Sequence, residues 1–511
     1  MNKQSLIKGS LILGIAGIIA RFLGLFFRWP LIMLIGDEGV GYYQMSYPLY
    51  MFFIAIASGI PVAMSKIISE KNATGDIEGT FEVVKESTYL MLVLGLGTTL
   101  ILFFFAKPII SFLKWNPKSY YALIGISFAP LIMSFMTIYR GFFQGLQNMT
   151  PSGVSQILEQ IGRVIVGVGL AIILLPKGIE YSAGGAAFGA AAGGLIGSGY
   201  LYYQYRKIKK HMGIKKIKTN TQLLTKILKI SIPISIGATV GTIMSLIDSI
   251  VVPQKLLEAG LSDKAATILY SQLTGKASVI VNIPLTLSMA LCVSLIPIIA
   301  ENYILKNKRE VDNKVQLSIK LASVISLPCM LGMFFLAEPI MKLIFPGRFE
   351  GIEILRFLSL TIPFIIITQT TTSIMQGTGH YIIPVINLFV GCVVKIILTW
   401  VLVPIPSLNI YGAVIGSIGA YIVATILNLI AMKVNMKTKL GFYGSFVKPA
   451  CAAVIMIICT VFSYNVLYNK TSSNGTSCLL AILLGIIIYG ISILIFKVFS
   501  INEIKDRLIK K

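Results

Sequence analysis

Apolar windows of roughly twenty residues recur from one end of the chain to the other, separated by short polar loops, and that is the length at which an α-helix crosses a bilayer. About fourteen such spans are predicted, near 6–35, 41–66, 86–106, 119–143, 152–176, 182–205, 225–252, 268–300, 316–337, 352–377, 381–404, 411–432, 444–467 and 478–498. The first is not uniformly apolar. Ser10, Gly14, Gly17, Arg21, Gly24 and Arg28 follow one another at gaps of four, three, four, three and four residues, so all six share one helix face. Arg21 falls near mid-span, where an arginine turned to lipid costs roughly 3 kcal/mol or more. That face therefore points to protein or to a water-filled cavity. Gly14, Gly17 and Gly24 remove side-chain bulk beside it, so a partner backbone or a ligand headgroup can come close.

The spans repeat at an interval of about 230 residues. Tyr47-Pro48-Leu49 and Ile60-Pro61 return as Ile283-Pro284-Leu285 and Ile296-Pro297. Ala106-Lys107-Pro108-Ile109 returns as Ala337-Glu338-Pro339-Ile340. Gln144-Gly145 returns as Gln376-Gly377, and Gly185-Ala186-Ala187 with Gly189 as Gly412-Ala413-Val414 with Gly416. Six spans make the repeat, an even number, so both copies enter from the same side. The predicted fold is an all-α polytopic membrane protein with two parallel six-helix lobes, 1–210 and 225–437. A basic linker at 211–224 joins them, and two further helices with a tail occupy 438–511. Pro48 and Pro284 hold equivalent mid-span positions and are candidate hinges for rocking between the lobes.

Composition agrees with the pattern: 56% of residues are hydrophobic, 13% are charged and mean hydropathy is +0.84. No soluble globular class has these values. Lys3 and Lys8 precede an apolar run too long for a signal peptide and without a small-residue cleavage site, so the first helix reads as a retained span. The net charge of +24 fits cytoplasmic loops rich in Lys and Arg and contact with anionic lipids; nothing in its distribution suggests nucleic acid. Basic residues gather on the side of the N-terminus, above all Arg206, Lys207, Lys209, Lys210, Lys215, Lys216 and Lys218, which places both termini in the cytoplasm. The opposite loops are short and leave no room for an external catalytic domain. Six cysteines without a CxxC, and only two histidines, give no metal site and no disulfide framework. No nucleotide-binding loop or nucleophile–His–acid arrangement is present, so neither a cofactor nor an enzyme is expected.

The candidate chemistry is cationic. Arg21 and Arg28 suit an anion site, because guanidinium stays charged and grips phosphate with two parallel hydrogen bonds. Lys276 lies beside Ser271, Ser278 and Asn282, and Arg140 beside Gln144 at the cytoplasmic end of span four, so both are candidates to touch a headgroup. Arg163 and Lys395 are repeat equivalents at mid-span. Glu159 stands four residues before Arg163, and the two are expected to form a locally neutral pair. Asp248, aligned opposite Arg21 in the second repeat, is a candidate gating partner for Arg21 or Arg28. A cavity of this sign selects an anionic substrate, whereas a cation-coupled exporter of cationic drugs would want a carboxylate where Arg21 stands.

Gly141-Phe142-Phe143-Gln144-Gly145-Leu146-Gln147-Asn148-Met149-Thr150-Pro151, continuing through Ser155-Gln156, Leu158-Glu159-Gln160 and Arg163, resembles the stage V sporulation protein B family. Leu175-Pro176, Gly178-Ile179-Glu180-Tyr181, and Gly36 with Glu38-Gly39-Val40-Gly41 add to the likeness, which extends over essentially the whole chain. That family belongs to the multidrug/oligosaccharidyl-lipid/polysaccharide exporter superfamily and is related to MurJ-type lipid II flippases. The resemblance implies a MATE/MurJ-like fold and movement of an undecaprenyl-pyrophosphate-linked sugar to the outer leaflet for wall or spore-cortex synthesis. It implies that Arg21 and Arg28 line a cationic cavity and that the last two helices offer a groove to the lipid tail. The second repeat departs from the MurJ pattern by carrying Asp248 where more basic charge is expected. Alternating access is the expected mechanism, coupled to the membrane potential or to a monovalent cation. A potential negative inside favours outward movement of an anion by up to roughly 2.3 kcal/mol per charge per 100 mV. A cation-coupled drug or metabolite antiporter, and a membrane scaffold that recruits wall-synthesis enzymes, remain the alternatives.

Overall fold

The computed structural model describes residues 6–212, 220–305, 307–436, 441 and 443–499. Lys3, the linker lysines Lys215, Lys216 and Lys218, and the tail from residue 500 lie outside the described residues. Among the described residues there is no strand. Contacts divide the chain into two compact units that meet in sequence between Ser271 and Gln272.

The first unit contains α1 (Leu6–Ala57), α2 (Gly59–Ala73), α3 (Ile77–Phe104), α4 (Ala106–Phe112), α5 (Tyr120–Ser127), α6 (Ala129–Gly145), α7 (Thr150–Leu174), α8 (Ile179–His211), α9 (Thr221–Glu258) and α10 (Asp263–Ser271). The second opens on a π-helical turn, Gln272–Ala277, and continues through α11 (Ser278–Ile304), α12 (Lys308–Phe335), α13 (Ala337–Ile344), α14 (Ile352–Leu358), α15 (Ile362–Gly377), α16 (Ile382–Leu402) and α17 (Ile410–Met436). Then come α18 (Lys448–Thr471) and α19 (Asn474–Ile495). Eleven described stretches are long and apolar enough to cross a membrane. One of them, Ile12–Ala73, holds two passes, because α1 breaks at Gly36 (φ 64°, ψ −174°), a conformation essentially open only to glycine. α8 and α11, of 33 and 27 residues, are also long enough to cross, so the described helices can accommodate the fourteen passes that the hydrophobic pattern predicts. The hydropathy of α8 is diluted by its glycines and alanines.

The sequence repeat has matching local structure in the two units. Ala106 and Ala337 each open a short helix after a long one ends, and Gln144-Gly145 and Gln376-Gly377 each close a helix. Pro130 and Pro363 each stand in the first turn of a helix that resumes after a break. The spans predicted at 119–143 and 352–377 are therefore pairs, α5 with α6 and α14 with α15. The hinge candidates do not interrupt anything: α1 stays helical through Pro48 and α11 through Pro284, and the breaks fall instead at Gly36 and in the turn Gln272–Ala277.

Two packing seams position the rest of the first unit. On α8, Gly185, Gly189, Gly193 and Gly197 recur every fourth residue and face α7. A Cβ on Gly189 would meet Arg163 O at 3.0 Å, and one on Gly193 would collide with Glu159 O. Small residues at this spacing let two backbones touch. Gly412 and Gly416 repeat the device in the second unit, against Leu402 and against Lys395 O at 3.4 Å. The second seam ties α9 to α1–α3 and the segment after α4. Gly59 N donates to Ser235 Oγ at 3.1 Å, Lys226 pairs with Glu70 at 3.0 Å, and Trp115 Nε1 donates to Ser249 O at 2.6 Å. So α9 and α10, which open the second repeat in sequence, pack with the first unit.

Candidate functional site

The polar face of α1 is open. A Cβ on Gly14 would meet nothing within 4 Å; on Gly17 it would meet only Gln156 Oε1 at 4.0 Å, and on Gly24 only Gln160 Oε1 at 3.9 Å. Among the described residues no partner backbone occupies the space these glycines clear, and Arg21 is exposed beside them. The helix packs through its other side, where Gly153 of α7 would bring a Cβ to 3.2 Å from Ala16.

One turn beyond Gly24 stands Arg28, and past the break at Gly36 it meets an aromatic face. Tyr43, Tyr47 and Tyr50, at gaps of four and three, share one face of α1 beyond the kink. Tyr43 and Tyr47 stack with centroids 5.5 Å apart, and Tyr50 follows at 5.8 Å from Tyr47. The Arg28 guanidinium lies 5.5 Å from the Tyr43 centroid and 5.9 Å from that of Tyr47. Arg163 of α7 reaches the same Tyr47 ring at 5.7 Å. Two like charges thus share one ring, whose negative face attracts both. Each has a buried N–H without a hydrogen-bond acceptor among the described residues, Nη1 of Arg28 and Nε of Arg163. A buried unpaired donor on a charged group is costly. An anion with several oxygens would satisfy both. The tyrosine spacing was a readable signal for this site that the charge pattern alone does not supply.

Glu159, expected beside Arg163, is engaged elsewhere. Its Oε2 accepts from Arg140 Nη2 at 3.0 Å and its Oε1 from Gln160 Nε2 at 3.4 Å, while Arg140 Nε donates to Ser155 Oγ at 2.8 Å. The expected local pair is replaced by a bridge from α6 to α7. Arg140 also lines a cavity of about 170 Å³ with Thr137, Gln144, Ile54, Ser58 and Met91.

Asp248 sits half-buried on α9, in the same compact unit as Arg21 and Arg28. The two candidate lysines lie in the second unit. Lys395 is 3% exposed on α16. Lys276 is fully buried: its Nζ donates to Arg348 O at 2.7 Å, Glu350 O at 3.4 Å and Glu350 Oε2 at 3.3 Å, over the Phe345 ring. It staples the π-helical turn to the loop before α14. Burial would raise the Glu350 carboxyl, but its own backbone N–H, the Lys276 hydrogen bond and charge, and Arg348 outweigh that and hold it below its ordinary value. This attraction is present above the ordinary carboxylate range and is lost as pH falls through the lowered value. Lys276→Met leaves buried carbonyls unpaired and should cost about 1–3 kcal/mol. Glu350→Gln should cost under about 1 kcal/mol, because Glu350 is 60% exposed. Thermal unfolding of the two variants in detergent checks the order.

The long apolar helices among the described residues and the local structure repeated in the two units define a polytopic membrane fold. A solved structure of the lipid II flippase MurJ, inward closed, superposes with a TM-score of 0.73 at 18% identity, covering 95% of this chain and 98% of that one. An inward-facing MATE family multidrug resistance transporter superposes with a TM-score of 0.69 at 17% identity, covering 82% and 98%. The sequence model of the polysaccharide biosynthesis protein family matches residues 6–303, more than half of the chain, and the protein belongs to that family. The MatE model matches residues 265–401. Stage V sporulation protein B of Bacillus subtilis is 29% identical over 99% of this chain and 98% of its own length. Lipid II flippase MurJ of the same organism is 26% identical over 84% and 83%. The protein is a multi-pass membrane protein of the polysaccharide biosynthesis protein family, similar along its length to proteins named as flippases and exporters.

Proposed function

We propose that this protein moves a lipid-linked sugar, joined to its polyprenyl chain through a diphosphate, from the inner to the outer leaflet of the cell membrane. The observation that carries the reading is the pair Arg28 and Arg163 on one tyrosine, each with a buried N–H that lacks an acceptor. A diphosphate diester brings two negative charges and several oxygens, which is what such a pair lacks. The kinship with stage V sporulation protein B and with MurJ supports a role in wall or spore-cortex synthesis.

In this mechanism the diphosphate and sugar sit against Arg28 and Arg163, with Arg21 nearby on the open face of α1, while the polyprenyl tail stays in lipid. Alternating access carries the headgroup across, both termini stay cytoplasmic, and no covalent step is required. A potential negative inside drives the anion outward and returns the emptied cationic site. Collapsing the potential across loaded liposomes should therefore slow turnover.

The test is flipping of a fluorescent lipid-linked diphosphate sugar in liposomes that hold the purified protein. The parent should flip it and Arg28→Ala should lose at least about tenfold, the worth of one charge-assisted hydrogen bond. A folded parent that leaves the probe in its original leaflet overturns the reading and moves the cation-coupled antiporter and the scaffold ahead of it.

A further inference from the structure

The carboxylate nearest in sequence to the cationic site is held away from it. On α7, Glu159 stands four residues before Arg163, the order in which a glutamate and a cation on one helix attract best. Glu159 nevertheless turns across to α6, with Oε2 on Arg140 Nη2 at 3.0 Å and Oε1 on Gln160 at 3.4 Å. Arg140 is in turn fixed by Ser155 Oγ at 2.8 Å. The Arg140 and Glu159 side chains are 15% and 11% exposed, so solvent screens little of their attraction. Arg163 Nε is left buried with no acceptor among the described residues. In so sheltered a site, a carboxylate one turn away would compete with any phosphate for that guanidinium.

We propose that Arg140 is a positioning residue: by holding Glu159 across the α6–α7 interface, it keeps that carboxylate off Arg163 and leaves Arg163 open to a diphosphate. The inference rests on the diphosphate reading of the Arg28–Arg163 site. With Arg140 and Glu159 neutralising each other, Arg28 and Arg163 bring two positive charges to Tyr47, matching the two charges of a diphosphate diester. Without Arg140, Glu159 and Arg163 become a neutral pair and one positive charge remains. Arg140 thus acts on the ligand through Glu159, from the α6 cavity, without touching the tyrosine stack.

Binding of farnesyl diphosphate, a monoester that presents the same diphosphate oxygens with up to one further charge, to the purified full-length protein in detergent, measured by titration calorimetry, tests this with three variants. Arg140→Gln should weaken binding about tenfold or more, the effect of losing one charge-assisted hydrogen bond to the ligand. Arg140→Gln with Glu159→Gln should return to within about threefold of the parent, since the competitor is then neutral. Glu159→Gln alone should bind at least as tightly as the parent. Unchanged binding in Arg140→Gln, or a double variant as weak as the single, overturns the positioning role; the second result would mean that Arg140 holds the ligand itself or merely holds the helices. If Arg140→Gln does not fold, Glu159→Gln decides alone, and a loss of binding there overturns the proposal. A folded parent that does not bind farnesyl diphosphate refutes the diphosphate reading, and the role of Arg140 with it; binding by the parent with variants out of this order refutes the role alone.

Discussion

Arg163→Ala should slow headgroup translocation about a hundredfold or more, because two charge-assisted hydrogen bonds at about 1.5–3 kcal/mol each leave with the guanidinium. The folded yield should stay near that of the parent. The side chain is a poor structural element as it stands: its Nε is buried without an acceptor, and its stacking on Tyr47 contributes about 0.5–2 kcal/mol, offset by the relief of desolvating one charge fewer. Arg163→Lys separates charge from geometry. It keeps the charge but loses the planar fork, so an intermediate loss, about tenfold, is expected. Flipping in liposomes, beside size-exclusion profiles and thermal unfolding, gives both readings. A translocation rate equal to the parent's in Arg163→Ala would remove this residue from the site.

Gly193→Val should prevent folded protein from accumulating. A Cβ at Gly193 falls on the Glu159 carbonyl oxygen and 2.9 Å from Arg163 N, and both are backbone atoms of α7. No rotamer change relieves such a clash; α7 must move off α8, along the seam that also carries Gly189 and Gly197. Overpacking of this kind costs about 1–3 kcal/mol for a methylene that side chains can accommodate, and more where backbone must shift. About 3 kcal/mol or more is the expected loss here, a large share of the stability of any domain. Gly199→Val is the control. It lies on the same helix with nothing within 4 Å of its Cβ, so its effect should stay within about 0.5 kcal/mol. Monodisperse yield on size exclusion and the unfolding temperature distinguish the two. Because the same contact sets the height of Glu159 and Arg163 on α7, a Gly193 variant that folds in spite of the strain should also transport poorly.

The passes are legible in the hydrophobic pattern, since a bilayer demands long apolar helices and the window pattern reads that demand directly. The sequence by itself determined the repeat as well, visible in collinear proline and glycine motifs whose local structures match between Ala106 and Ala337 and between Gly416 and Gly189. It marked the open face of α1, because helical periodicity places Gly14, Gly17, Arg21, Gly24 and Arg28 together whatever the rest of the chain does. The tyrosines at 43, 47 and 50 obey the same periodicity, so that half of the site was legible too. What periodicity does not carry is the partner across a helix interface. Glu159 is four residues from Arg163 and nineteen from Arg140, yet it bonds to Arg140, because α6 and α7 lie side by side and Ser155 fixes the Arg140 guanidinium beside it. Lys276, which lies beside polar residues in sequence, is buried against the loop at 348–350, and α9 begins the second repeat but packs with the first unit. Tertiary structure decided these, for one physical reason: in a low-dielectric interior a charge settles on whichever acceptor the packing brings within about 3 Å, and sequence separation places no limit on which that is.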